Sequence, residues 1–165
     1  MKWSLVLFFM GYSLLSLGQS SAEAYLKRYS LSKDSIAELT FKSKEQFQAF
    51  IKEFEEKEGF ELPKFLIYDN TGKLLKHRLD VLQSACGKGD VSRLKKSYHK
   101  SLPNLDELNV YFNETIAKPS ESAYVVIFVW HEAADKYNKH TFDTYKVWKN
   151  DNDLTMYFLN LQTEK

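Results

Sequence analysis

Tyr124 to Trp130 reads Tyr-Val-Val-Ile-Phe-Val-Trp, seven consecutive residues that are all aromatic or β-branched. Such residues favour strand, and a run that does not alternate apolar with polar positions must bury both of its faces. The run therefore predicts a strand at the centre of a sheet covered by helices. The next thirty residues complete a unit. Residues 133–149 carry a helical pattern that puts Ala134, Tyr137, Thr141, Tyr145 and Trp148 on one face, with Asp135, Lys139 and Asp143 four apart on another as a solvated ion-pair row. The turn Asn150-Asp151-Asn152-Asp153 leads into Leu154 to Leu161, whose alternation predicts a second strand. Strand, helix, strand is a βαβ unit, and the right-handed crossover rule makes its two strands parallel.

Upstream, Ser43 to Gln46 has the S-x-x-Q form of a capping box and predicts a helix start. Phe47, Phe50, Ile51 and Phe54 then form one apolar stripe, Lys52, Glu53, Glu55, Glu56 and Lys57 face water, and Gly59 supplies a C-cap. Leu62 to Tyr68 and Leu74 to Leu79 are short apolar arms around Asp69-Asn70-Thr71-Gly72-Lys73, a hairpin pattern whose turn holds residues tolerant of positive φ. Residues 84–90 are a loop. Two more helical patterns follow, one through Val91, Leu94, Tyr98 and Leu102 that stops at Pro103, the other through Leu105, Leu108, Phe112 and Ile116, capped by Asn104 and stopped near Pro119.

The opening of the chain is of another kind. Lys2 precedes the apolar run Trp3 to Leu17, which is too short for a membrane span and gives way at once to Gln19, Ser20, Ser21 and Glu23. That is the pattern of a secretory signal, with small residues at Ser16 and Gly18 placing the cut before Gln19, Ala22-Glu23-Ala24 as the second site and an uncleaved anchor as the alternative. The expected division is a signal peptide at 1–18, an N-terminal leader at 19–42 with a short strand near Ile36 to Phe41, and an α/β domain at 43–165. The chain has 23 Lys and Arg against 22 Asp and Glu, and loss of residues 1–18 removes Lys2 alone, so the mature protein is charge-neutral. No net field attracts nucleic acid or an anionic membrane, and no later apolar run is long enough to span one. The expected address is secreted or periplasmic.

The central strand, the crossover helix and the strand ending Met156-Tyr157-Phe158-Leu159-Asn160-Leu161 resemble the βαβ half of the thioredoxin-like superfamily. Glu61-Leu62-Pro63 followed by Phe65 to Leu74 resembles its other half, a β-hairpin preceded by a proline. The hairpin half comes first here, so the resemblance is to a circularly permuted arrangement. It implies an α/β fold, a mixed sheet carrying a C-terminal βαβ unit, a hairpin and flanking helices. Where the family carries its CxxC dithiol, after the first strand of the βαβ unit, this chain reads His131-Glu132-Ala133-Ala134-Asp135-Lys136. Of the family's site features only Pro63 has a counterpart.

Cys86 is the only cysteine, which excludes an intramolecular disulfide, a CxxC pair and a cysteine-rich zinc site. Lys88 stands near it in a Gly-containing loop, where a cation favours thiolate, and a single thiol acts only through mixed disulfides with a partner. The alternative for Cys86 is an inert packed side chain. Gly87-Lys88-Gly89-Asp90 lacks the spaced glycines and Lys-Ser/Thr of a phosphate loop. His131 and Asp135 are four apart with Glu132 adjacent, a spacing that puts two ligands on one ion, but zinc takes three or four and no metal or cofactor is assigned. Position matters more than spacing here, because ligands of open α/β sheets bind outside the carboxyl ends of the strands, where His131 and Glu132 lie. His77 falls on a hairpin arm and His99 on a basic helix with Lys95, Lys96 and Lys100, and no Ser/His/Asp grouping forms. Asn113-Glu114-Thr115 is a glycosylation sequon inside an expected helix. These residues describe a secreted, non-catalytic domain that binds a protein or small ligand, with a single-thiol redox enzyme acting through Cys86 as the alternative.

Overall fold

The computed structural model describes residues 21–58, 65–76, 97–120 and 123–162. In chain order these form α1 (Ser21–Arg28), β1 (Glu38–Leu39), α2 (Lys44–Glu58), β2 (Phe65–Tyr68), α3 (Leu105–Leu108), β3 (Tyr124–Trp130), α4 (Asp135–Trp148) and β4 (Leu154–Asn160). Single 3₁₀ turns at Lys33–Ser35 and Glu132–Ala134 precede β1 and α4.

The four strands make one mixed sheet in the order β1-β4-β3-β2. β3 lies between a parallel neighbour, β4, and an antiparallel one, β2, with Ile127 opposite both Tyr157 and Leu66. Both faces of β3 are buried, as its unbroken apolar run requires. Val126, Phe128 and Trp130 project to one face, beneath Tyr25 and Leu26 of α1 and Phe142, Tyr145 and Trp148 of α4. Val125, Ile127 and Val129 project to the other, beneath Phe50 and Phe54 of α2, Leu105 and Leu108 of α3, and Phe112. The parallel βαβ unit is present as read.

The hairpin turn is also present. Gly72 takes φ +76°, the left-handed region that glycine adopts without strain. Leu75 N–H donates to Ile67 O at 2.8 Å and Tyr68 bridges Leu74.

Three expectations need correction. Residues 97–99 are extended rather than helical: Tyr98 bridges Leu75, Lys76 N–H donates to Ser97 O and His99 N–H to Leu74 O. Tyr98 packs against the apolar cluster of Trp130 and Leu102 is buried in the other cluster, so their burial needs no helix, and His99 is not on a basic helix. The second helix is one turn long. Asn104 caps it through a reciprocal box with Glu107, but Phe112 then bridges Phe41 and reaches the core from extended chain. Finally, the face of α4 read in the sequence is right at Thr141, Tyr145 and Trp148 but wrong at Tyr137, in whose place Asn138 and Phe142 are buried. Asn138, Thr141, Phe142, Tyr145 and Trp148 point inward, whereas Tyr137 is 51% exposed. Turning Phe142 in against Trp130 and Phe158 buries a wholly apolar ring and leaves outside a ring whose hydroxyl tolerates water.

The segment read as a leader carries α1 and β1. β1 falls within the expected strand at Ile36 to Phe41 and pairs with β4. Tyr25 and Leu26 of α1 are buried in the same apolar cluster as Trp130. Outside the described residues lie the signal segment, Gly59, Pro63, His77, Cys86 with its loop, Val91 and Leu94.

Candidate functional site

Because β3 and β4 are parallel, both end on one side of the sheet, at Trp130 and Asn160, and the sequence-derived candidates come directly after Trp130. His131 is extended, at φ −153° and ψ 136°, and its Nδ1 accepts from Ala133 N–H at 3.1 Å. With Nδ1 accepting, the proton of the neutral ring sits on Nε2. The His131 carbonyl accepts from Ala134 N–H and from Asn138 Nδ2, both at 2.8 Å. His131 thus caps the 3₁₀ turn that starts the crossover.

Asp135, the first residue of α4, faces α1. One carboxylate oxygen accepts from Tyr25 Oη at 2.8 Å and Tyr29 Oη at 2.7 Å, and pairs with Arg28 Nη2 at 3.2 Å. Hydrogen bonds from Tyr29 and Tyr25, with the nearby Arg28 charge, hold this carboxyl below its ordinary range. The Tyr25 hydroxyl also accepts from Asn138 Nδ2 at 2.7 Å, and burial pushes its pKa well up. The side chains of His131 and Asp135 therefore have different partners, Ala133 N–H for one and Tyr25, Tyr29 and Arg28 for the other, and are linked only through Asn138 and Tyr25. Among the described residues no group of three or more His, Cys, Asp or Glu side chains is placed to hold a metal.

On the opposite side of the strand ends lies an open cleft of about 440 Å³, lined by Phe47, Gln48, Ile51, Lys52, Glu55, His131 and Leu161. Its origin is the apolar stripe of α2, which is too wide to be covered completely. Phe50 and Phe54 are inside, while Phe47 and Ile51 remain half-buried and form the wall. Lys52 and Glu55 supply one charge of each sign at the rim.

The structure thus joins His131 to a cleft and separates Asp135 from it; Glu132 is half-buried in the connecting turn. Cys86 and Pro63 lie outside the described residues. The sequence reading missed Phe47, Ile51 and Leu161, taken as core or strand positions, and the Asp135 partners Tyr25 and Arg28 of α1 and Tyr29 just after it. Nothing local announces the latter, since they meet Asp135 from 106 to 110 positions away. No protein-family model, curated protein or solved structure matches the chain.

Proposed function

We propose that this chain is an exported, non-catalytic binding domain of thioredoxin-like architecture that holds a protein segment or small ligand in the cleft at the carboxyl ends of β3 and β4. The cleft carries the reading: an apolar wall of Phe47, Ile51 and Leu161 meets polar side chains at the place where parallel strands end. Lys2 and the apolar run Trp3 to Leu17 support export. Placement of β2 against β3, with β4 on the other side, supports the architecture, because hairpin and βαβ unit share one sheet. Ala133 to Lys136 stand where the family's dithiol would be and bring no nucleophile. Reduction of a disulfide needs a second thiol to release the mixed disulfide formed by the first.

The test uses 8-anilinonaphthalene-1-sulfonate as an apolar probe of the native protein, with Ile51→Lys as the cleft variant. Ile51 is half-buried, so the variant should keep its urea midpoint and lose most of the dye fluorescence. Equal fluorescence from both proteins, or none from either, would refute the cleft as the site. Insulin reduction by dithiothreitol is followed in parallel with the parent and Cys86→Ser. Acceleration by the parent that disappears in the variant would overturn the non-catalytic reading.

A further inference from the structure

Four buried side-chain polar atoms at the junction of β3 and α4 have no hydrogen-bond partner among the described residues: Trp130 Nε1, Glu132 Oε1, Asn138 Oδ1 and Thr141 Oγ1. Trp130 and Asn138 are 0% exposed and Thr141 is 1% exposed, so bulk solvent does not satisfy them. Orphaned buried polar atoms are rare and costly in native proteins, and a group of them in one short stretch requires a common explanation.

Asn138 defines what is wanted. Its Nδ2 donates both protons, to Tyr25 Oη and to His131 O, while Oδ1 accepts nothing. The amide is not reversible, because a flip would set its oxygen against the His131 carbonyl oxygen. Trp130 presents the complementary need, since an indole N–H only donates. The two residues share one layer. The Trp130 ring stacks on Tyr25, centroids 5.5 Å apart and planes 8° from parallel, and Tyr25 is the residue to which Asn138 donates. Phe142, next to Thr141, meets the same indole at 5.8 Å.

A cation is repelled by the Trp130 N–H, and an anion by Asn138 Oδ1 and the Glu132 carboxylate. A neutral species that both accepts and donates satisfies the pair, and full burial of Trp130 and Asn138 favours the smallest such species. We propose that the β3–α4 junction is a binding site for an internal water molecule that accepts from Trp130 Nε1 and donates to Asn138 Oδ1. Its remaining proton goes to Thr141 Oγ1 or Glu132 Oε1. The water completes a chain of hydrogen bonds from Trp130 through Asn138 and Tyr25 to Asp135 at the surface, sealed by α1. This site stands independently of the cleft.

The test is made on the unaltered protein. In ¹⁵N-edited NOESY and ROESY spectra, the indole proton of Trp130, assigned by triple resonance and so separated from those of Trp3 and Trp148, should show a cross-peak at the water frequency. Its sign should be that of a water outliving molecular tumbling. A crystal structure should place that water within hydrogen-bonding reach of both Trp130 Nε1 and Asn138 Oδ1. The proposal is overturned by the lack of a cross-peak, by a water that touches Trp130 without reaching Asn138, or by a protein atom bonded to the indole N–H.

Discussion

Asp69 is buried at the mouth of the hairpin turn and accepts four hydrogen bonds. Thr71 N–H, Thr71 Oγ1 and Lys73 N–H bond one oxygen at 2.9, 2.7 and 3.2 Å, and Tyr98 Oη bonds the other at 2.7 Å. Burial by itself would raise the carboxyl pKa, but donation from Thr71, Tyr98 and the two backbone N–H groups outweighs it and lowers the value below the ordinary 3.8. A depressed folded pKa stabilises the protein fully above the ordinary value, and that stabilisation is lost as pH falls through the folded value. Asp69→Ala should therefore cost about 2–3 kcal/mol at neutral pH, measured from urea midpoints, and the deficit should shrink on acidification below the ordinary value. A deficit that stays constant down to pH 2 would show that the charge is not what the four donors stabilise. The turn around Asp69 was legible because Asn70, Thr71 and Gly72 act through neighbouring backbone. The Tyr98 bond was not, since its partner is 29 positions distant.

Among the elements, those whose pattern admits one geometry were legible. β3 has seven residues and two buried faces, and only an interior strand satisfies that. The patterns through Tyr98 and through Phe112 failed for the converse reason: apolar residues three or four apart are consistent with a helix, yet they are equally buried by extended chain that finds a neighbouring strand. The face of α4 was read correctly at Thr141, Tyr145 and Trp148 and failed at Tyr137. Tyr137 and Phe142 are both apolar-weighted positions, and the choice between them depends on the space between Trp130 and Phe158, which no local pattern encodes. This phase makes a prediction with two arms. Phe142 is fully buried, so Phe142→Ala should cost about 3–5 kcal/mol. Tyr137 is 51% exposed, so Tyr137→Ala should change stability by less than about 0.5 kcal/mol. Comparable losses in the two variants, read from denaturant midpoints, would restore the face first read from the sequence.

At the scale of the molecule, the sheet has helices on both faces, and the helix that seals one of them comes from the segment that looked least structured. Residues 19–42 are Ser-rich and carry no long periodic stretch, which is why a domain beginning at Ser43 was expected. An eight-residue helix such as α1 is not stable alone, and its order comes from what it buries. Tyr25 and Leu26 are 5% and 0% exposed, against Trp130 and Phe142, and β1 adds a parallel neighbour to β4 at Phe158 and Leu159. Burial of two such side chains contributes about 3–6 kcal/mol, a large part of the roughly 5–15 kcal/mol that holds an ordinary domain together. A chain starting at Gln19 should accordingly unfold in one cooperative transition. A chain starting at Ser43 loses α1 and β1, uncovers Trp130 and Phe142, and leaves Asp135 without Tyr25, Arg28 and Tyr29. It should show no cooperative transition in urea and should bind 8-anilinonaphthalene-1-sulfonate far more strongly than the longer chain. A Ser43 chain that unfolds at the same urea midpoint and slope as the Gln19 chain would refute this, and would make α1 and β1 an attachment to a domain that stands without them.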